Sequence, residues 1–133
     1  MSKIMDFLNE AGVFYLATVD GDQPKCRPLG ARMEMEGKVI FGIGDFKDVY
    51  RQLMANPKCE IVALKKDGKH WLRYTGKAVF ETDGKYAEAM LNAMPHLRGI
   101  YNEETGHKMM CFHIADATAV DIALMGEGED LLK

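Results

Sequence analysis

Val13-Phe14-Tyr15-Leu16-Ala17-Thr18-Val19, then Asp20-Gly21-Asp22, then Gln23-Pro24-Lys25-Cys26-Arg27-Pro28 is the stretch that decides the architecture. Its first seven residues are aromatic, β-branched or small and apolar almost throughout, the pattern of a central strand covered on both faces. Asp20-Gly21-Asp22 supplies turn chemistry, so the next segment folds back as a second strand, from Pro24 to about Glu36. Glu36-Gly37-Lys38 turns into a third, Val39-Ile40-Phe41-Gly42-Ile43.

The same reading extends both ways. Upstream, Ser2 caps a short helix with Ile4, Phe7, Leu8 and Ala11 at helical spacing, and Gly12 stops it. Downstream, Asp45 is placed to cap a helix from about Phe46 to Ala55, ended by Asn56-Pro57. Strands Glu60 to Leu64 and His70 to Glu81 flank a turn at Lys65–Lys69. Asp83 caps a helix from Gly84 to Met94, Pro95 breaks it, and a short helical stretch covers Leu97 to Tyr101. Two last strands, Met109 to Ile114 and Thr118 to Leu124, precede an acidic tail expected to fray. Short turns between strands and a few inserted helices predict a small, mainly antiparallel β-barrel in one domain, residues 1–133.

Composition narrows the function. The chain has 133 residues, 47% hydrophobic and 28% charged, an ordinary globular balance. With 17 basic against 20 acidic residues, it lacks the cationic surplus that phosphate neutralisation on nucleic acid demands. No apolar run reaches the roughly 18 residues of a membrane span, and the start lacks a signal-peptide core. Cys26, Cys59 and Cys111 read as reduced thiols, so a cytoplasmic location is expected. Ser2 is the only serine, which excludes a serine-nucleophile hydrolase. Cys111 and His113 share a strand face, but no second ligand pair stands at metal spacing, so no metal site is expected.

Three features break the strand pattern. One face of the second strand carries Lys25, Arg27, Leu29, Ala31, Met33 and Met35, which puts a guanidinium among apolar neighbours beside Pro28. Pro28 implies an edge or a bulge there. Arg27 either snorkels to water where the barrel opens or grips an anion in its planar fork. The only tryptophan, Trp71, falls on the polar side of its strand with Arg73, Thr75 and Lys77. It covers a subunit interface or a flat aromatic ligand, or else it packs beneath the 84–94 helix. Gly42-Ile43-Gly44-Asp45-Phe46-Lys47 runs from a strand into a helix N-terminus. Lys47 and free backbone N–H groups there could hold a phosphate, although Asp45 and Asp48 oppose it and most such corners are simply turns.

These outliers coincide with a family. Phe14 to Asp20 and Gln23 to Pro28, Val39-Ile40-Phe41, Leu53-Met54-Ala55-Asn56-Pro57 and His70 to Ala78 together resemble the pyridoxamine 5′-phosphate oxidase-like, FMN-binding split-barrel family. The resemblance covers about residues 10 to 82 and implies a six-stranded antiparallel split barrel that forms a homodimer with FMN at the subunit interface. It also implies the binding residues. Arg27, Pro28, Leu29, Gly30 and Arg32 lie where the family's second strand runs along the flavin, with Arg27 near the phosphate. Gly42 and Ile43 fall where backbone approaches the cofactor, and Trp71 where a side chain touches the ring.

The chain departs from the true oxidases at two points. Their basic pair at a helix start is here Asp48-Val49, with Lys47 one place earlier, and their C-terminal Trp and Arg segment has no counterpart after Phe112. Small bacterial relatives match better, some resembling nitroimidazole reductases: their Lys-Asp-Val-Tyr and Met-Pro-x-Leu segments resemble Lys47 to Tyr50 and Met94 to Leu97. The expectation is an FMN-dependent oxidoreductase of a small molecule, with NADH or NADPH as a visiting donor, rather than oxidation of pyridoxamine phosphate. No side chain is assigned as a catalytic acid or base; Tyr50, His70 and Tyr101 are candidate proton donors. A non-catalytic flavin- or haem-binding barrel is the alternative. A deazaflavin-dependent reductase ranks last, because that cofactor asks for a more basic groove.

Overall fold

Ser2 Oγ accepts from the Met5 N–H at 3.0 Å, and Gly12 adopts a positive φ of 86°, so the cap and stop of the first helix act as their residue types dictate. The computed structural model describes residues 2–126 and 128–132. In chain order the elements are α1 (Lys3–Ala11), β1 (Phe14–Asp20), β2 (Gln23–Leu29), β3 (Arg32–Met35), β4 (Lys38–Gly44), α2 (Asp48–Ala55), β5 (Lys58–Leu64) and β6 (His70–Glu81). Then come α3 (Gly84–Ala93), a 3₁₀ turn (Pro95–Gly99), β7 (Met109–Ala123) and β8 (Gly128–Asp130).

All strands join one antiparallel sheet in the order β2-β1-β5-β6-β7-β4-β3, with β8 added to β7. The described residues thus hold eight strands rather than the expected six. The expected single strand from Pro24 to Glu36 accounts for one of the extra pair. It breaks at Gly30-Ala31, and its halves become the two opposite edges of the sheet. A sheet whose two edge strands are consecutive in the chain must curl until those edges approach; Gly42 N–H donating to the Ala31 carbonyl at 3.2 Å extends the β3–β4 ladder up to the break. An edge position also explains how β2 tolerates Pro24 and Pro28.

Near the C-terminal end the two expected strands are one. β7 runs through Asp116, which takes a left-handed φ of 52° opposite a register shift between Thr75 and Lys77. A bulge there bends the strand without ending it. Gly76 sits in the bulge, where a Cβ would lie 2.5 Å from the Ala115 carbonyl oxygen. The tail does not fray: β8 pairs with Val120 to Ile122, and Leu131 is buried.

Side-chain alternation sends two cores to the two faces of the sheet. Phe14, Leu16, Phe41, Ile61, Leu72, Tyr74 and Phe112 form the inner one, covered by Ile4, Phe7 and Leu8 of α1 and Val49 and Leu53 of α2. Phe41 is its hub, with ring centroids 5.4 Å from Phe14 and 5.6 Å from Phe112. On the outer face α3 lays Tyr86, Met90 and Leu91 against Met33, Ile40, Met109 and Cys111. The break at Gly30-Ala31 therefore carries the chain from one core to the other: Leu29 packs on the inner core, while Ala31, Met33 and Met35 join the outer one. No helix among the described residues is long and apolar enough to cross a membrane.

Candidate functional site

Arg27 pairs with Leu16 across the β1–β2 ladder and so projects to the inner face at the free edge of the sheet. It neither floats in water nor waits unpaired. Its Nη1 donates to the Leu16 carbonyl at 3.0 Å and to Thr18 Oγ1 at 2.8 Å, and its Nη2 donates to Gln52 Oε1 at 2.7 Å. Thr18 Oγ1 donates to the same Gln52 oxygen at 2.6 Å. Burial lowers the pKa of Arg27 from its ordinary value, against the opposing influence of Cys26 and of Asp48.

Thr18 and Gln52 are the buried polar side chains of the described core, 2% and 4% exposed. Sequence reading passed over both. Their signal was a hydroxyl on the inward parity of β1, with Phe14 and Leu16, and an amide on the helix face of Val49 and Leu53.

The corner leading into α2 differs from expectation. Asp45 does not cap the helix; its carboxylate accepts from the Lys108 N–H at 3.0 Å and clips the start of β7 instead. Helix α2 begins two residues later than predicted, with Lys47 at the N-cap position and no side-chain cap. The first-turn N–H groups and the exposed Lys47 ammonium therefore stand at the same helix end, with Asp48 beside them. The Lys47 Nζ lies 5.1 Å from the Phe46 ring centre.

Other predicted positions divide into two groups. Arg32 pairs with Phe41, donating through Nε to Asn9 Oδ1 at 3.1 Å and through Nη1 to the Gly30 carbonyl at 2.8 Å. Gly30 has open space where a Cβ would stand, and Pro28 is exposed at the sheet edge. Gly42 is different: the space a Cβ would take is filled by Met109 Sδ at 2.5 Å, and Ile43 is buried in the inner core. The β3–β4 ladder, extended by the Gly42–Ala31 bond, sets Ala31 and Arg32 beside Phe41 and Gly42, and Gln52 ties Arg27 to α2.

Trp71 stands apart. It pairs with Leu64 and Ile122 on the outward parity of β6, and the Arg73 guanidinium lies 4.8 Å over its ring. It is not beneath α3, which sits at the other end of the sheet. Near it on this outer face Val13, Tyr15 and Leu64 are 53%, 46% and 50% exposed, bordered by the Arg73–Glu60 ion pair. Within one chain, Arg27 and Trp71 occupy opposite faces and share no hollow.

A cavity of about 620 Å³, which the sequence did not reveal, opens between α3, the Tyr101–Lys108 loop and β7; Glu81, Leu91, Tyr101, His107, Met109 and Cys111 line part of it. His107 stacks on Phe46 at 3.8 Å beside it. Burial pushes the Cys111 thiol up to about 11, and Cys59 likewise, so neither is a ready thiolate. His113 Nδ1 is 2.6 Å from Glu81 Oε1, a satisfied histidine, and no cluster of metal-ligating side chains exists among the described residues.

The fold and this edge define the class: an antiparallel β-barrel split at one seam, with an internally braced arginine beside an uncapped helix. A family model described as pyridoxamine 5′-phosphate oxidase matches residues 1–121, and the chain belongs to that family. It is similar to the structure of a NimC/NimA family protein from Clostridium acetobutylicum, at 35% identity and TM-score 0.88 over 97% of this chain and 89% of that one. The fold is also shared with a pyridoxamine 5′-phosphate oxidase-related, FMN-binding protein from Nostoc punctiforme (15% identity, TM-score 0.66, 96% and 86% covered). A haem-binding protein from Mycobacterium smegmatis shares it too (14% identity, TM-score 0.70, 93% and 54% covered). No curated protein matches the chain.

Proposed function

We propose that the protein binds FMN at the seam between two copies of itself and serves as an oxidoreductase of a small molecule. The observation that carries this reading is Arg27: a charged guanidinium at the sheet edge, held by three protein acceptors, with donors left over. Those donors, together with the uncapped start of α2 where Lys47 stands, suit a phosphate monoester, with the Asp48 carboxylate opposing them. Gly30 leaves room beside that edge. Bound FMN would supply hydride and electron transfer through its ring; the protein supplies position, charge and exclusion of water.

The same reading calls for a dimer. Arg27 and Trp71 lie on opposite faces, so a ligand touching both must take them from two chains. The exposed Val13, Tyr15 and Leu64 around Trp71 give a second copy an apolar face to cover. NADH or NADPH would visit the exposed ring as donor, and a cytoplasmic setting suits the free thiols. Titrating FMN into wild-type protein and Arg27→Ala tests the reading. Loss of two charge-assisted bonds should weaken binding about a hundredfold; equal affinity removes Arg27 from the site.

A second reading is a haem-binding barrel without turnover. It is favoured by His70, whose Nδ1 is held 2.7 Å from Asp121 Oδ1 and which lines a separate cavity of about 450 Å³. A carboxylate-oriented imidazole is a competent metal ligand through its other nitrogen. The visible spectrum of the purified protein separates the two: flavin bands on the first reading, a Soret band on the second.

A further inference from the structure

A guanidinium has five N–H donors in one plane, grouped as an end fork between its two terminal nitrogens and a side fork between Nε and one of them. In Arg27 the end fork is filled. Thr18 Oγ1 sits on Nη1 and Gln52 Oε1 on Nη2, and these two oxygens are themselves only 2.6 Å apart. The Leu16 carbonyl takes the remaining Nη1 proton. The Nε–H and the second Nη2–H have no protein acceptor among the described residues. They are parallel, coplanar and one oxyanion wide.

We infer that Thr18 and Gln52 are positioning residues: by occupying the end fork from the buried side, they turn the side fork of Arg27 outward as a fixed bidentate seat for a phosphate monoester. Two features support this over a role in folding alone. The pair buries a hydroxyl and an amide where apolar residues of the same shape would pack at no polar cost. Arg27 also has four rotatable side-chain bonds, and a fork left to wander recognises a charge but not its geometry. The pair converts a flexible cation into a selective one, so it governs discrimination between FMN and riboflavin, which differ by that phosphate. This inference rests on the flavin reading above.

The test is a fluorescence titration of FMN and of riboflavin into wild-type protein and the isosteric variants Thr18→Val and Gln52→Leu, with Thr18→Ser as the conservative control. Thermal melting reports whether each variant is folded, and Gln52→Asn, an amide too short to reach, replaces any that is not. Wild type should prefer FMN by tenfold or more. Thr18→Val and Gln52→Leu should shrink that preference about tenfold through FMN alone, with riboflavin affinity unchanged, and Thr18→Ser should keep it. An unchanged ratio in both variants, alongside its loss in Arg27→Ala, overturns the positioning role and leaves the flavin reading intact. Parallel weakening of both flavins also overturns it, as a merely structural effect. Failure of wild-type protein to bind either flavin removes the flavin reading and this inference together.

Discussion

Helices α2 and α3 cover opposite faces of one curled sheet by different chemistry. Beneath α2, Phe14, Phe41 and Phe112 interlock at 5.4 to 5.6 Å, and the margin is stitched by Thr18, Gln52 and Arg27. At α3, Met90 of the helix packs on Met33, Met109 and Cys111 of the sheet, beside the larger cavity, and the Tyr86 hydroxyl reaches out to Glu36 at the cluster's edge. Rigid rings and directional hydrogen bonds fix positions, whereas methionines fill irregular space and adjust. One side of the sheet is built to hold a geometry, the other to yield.

Substitution tests that contrast directly. Phe41→Ala opens a cavity among rings that cannot close on it, and should cost about 3–5 kcal/mol by denaturant unfolding. Met90→Ala, among flexible neighbours, should cost nearer about 2 kcal/mol; equal losses would erase the distinction. Gly76→Ala comes next. Its Cβ would meet the Ala115 carbonyl oxygen and Ile114 Cγ2 at 2.5 Å, backbone and branched side chain that cannot step aside, for about 3 kcal/mol. Gly42→Ala meets a methionine sulfur at the same 2.5 Å, and because that side chain swings away the cost should stay at about 1 kcal/mol or less. A larger loss at Gly42 than at Gly76 would mean that the outer core is the stiffer one.

Gln52→Leu falls between them. Removing the shared acceptor leaves the Thr18 hydroxyl proton and one Arg27 N–H without an acceptor, for about 1–3 kcal/mol in the melting curve. The smallest effect is acidic. Burial raises the Glu81 carboxyl pKa, but hydrogen bonds from Lys38 at 3.1 Å and His113 at 2.6 Å outweigh it, so the folded-state pKa lies below the ordinary value. A carboxylate depressed in the folded state adds stability above its unfolded pKa and loses it as pH falls through the folded one. Melting temperature should therefore drop as pH falls through and below the ordinary carboxylate range, and less steeply in Glu81→Gln.

Legibility in the sequence follows the range of the interactions. The Ser2 and Asp83 caps and the Gly12 stop act within a few residues, and each stands where local spacing placed it. What local pattern missed depends on partners far along the chain. An unbroken alternation from Lys25 to Met35 gives no hint that Gly30-Ala31 carries the strand to the opposite sheet edge, because that follows from the curl of the whole sheet. Asp45 has the residue type of a cap, yet Lys108, 63 residues away, claims its carboxylate. At the site, Arg27 was visible as a charge out of pattern. Its companions were not, since a lone Thr in a strand and a lone Gln in a helix are ordinary until folding sets them 2.6 Å apart. Trp71 was visible as an outlier, and the position of α3 removes one of its three readings, packing beneath that helix.

Denaturing the purified protein and identifying the released small molecule by mass tests the central claim most directly. The account predicts FMN, in a ratio approaching one per chain, with the yield collapsing in Arg27→Ala. Release of haem, or FMN retained undiminished by the Arg27→Ala protein, would contradict it.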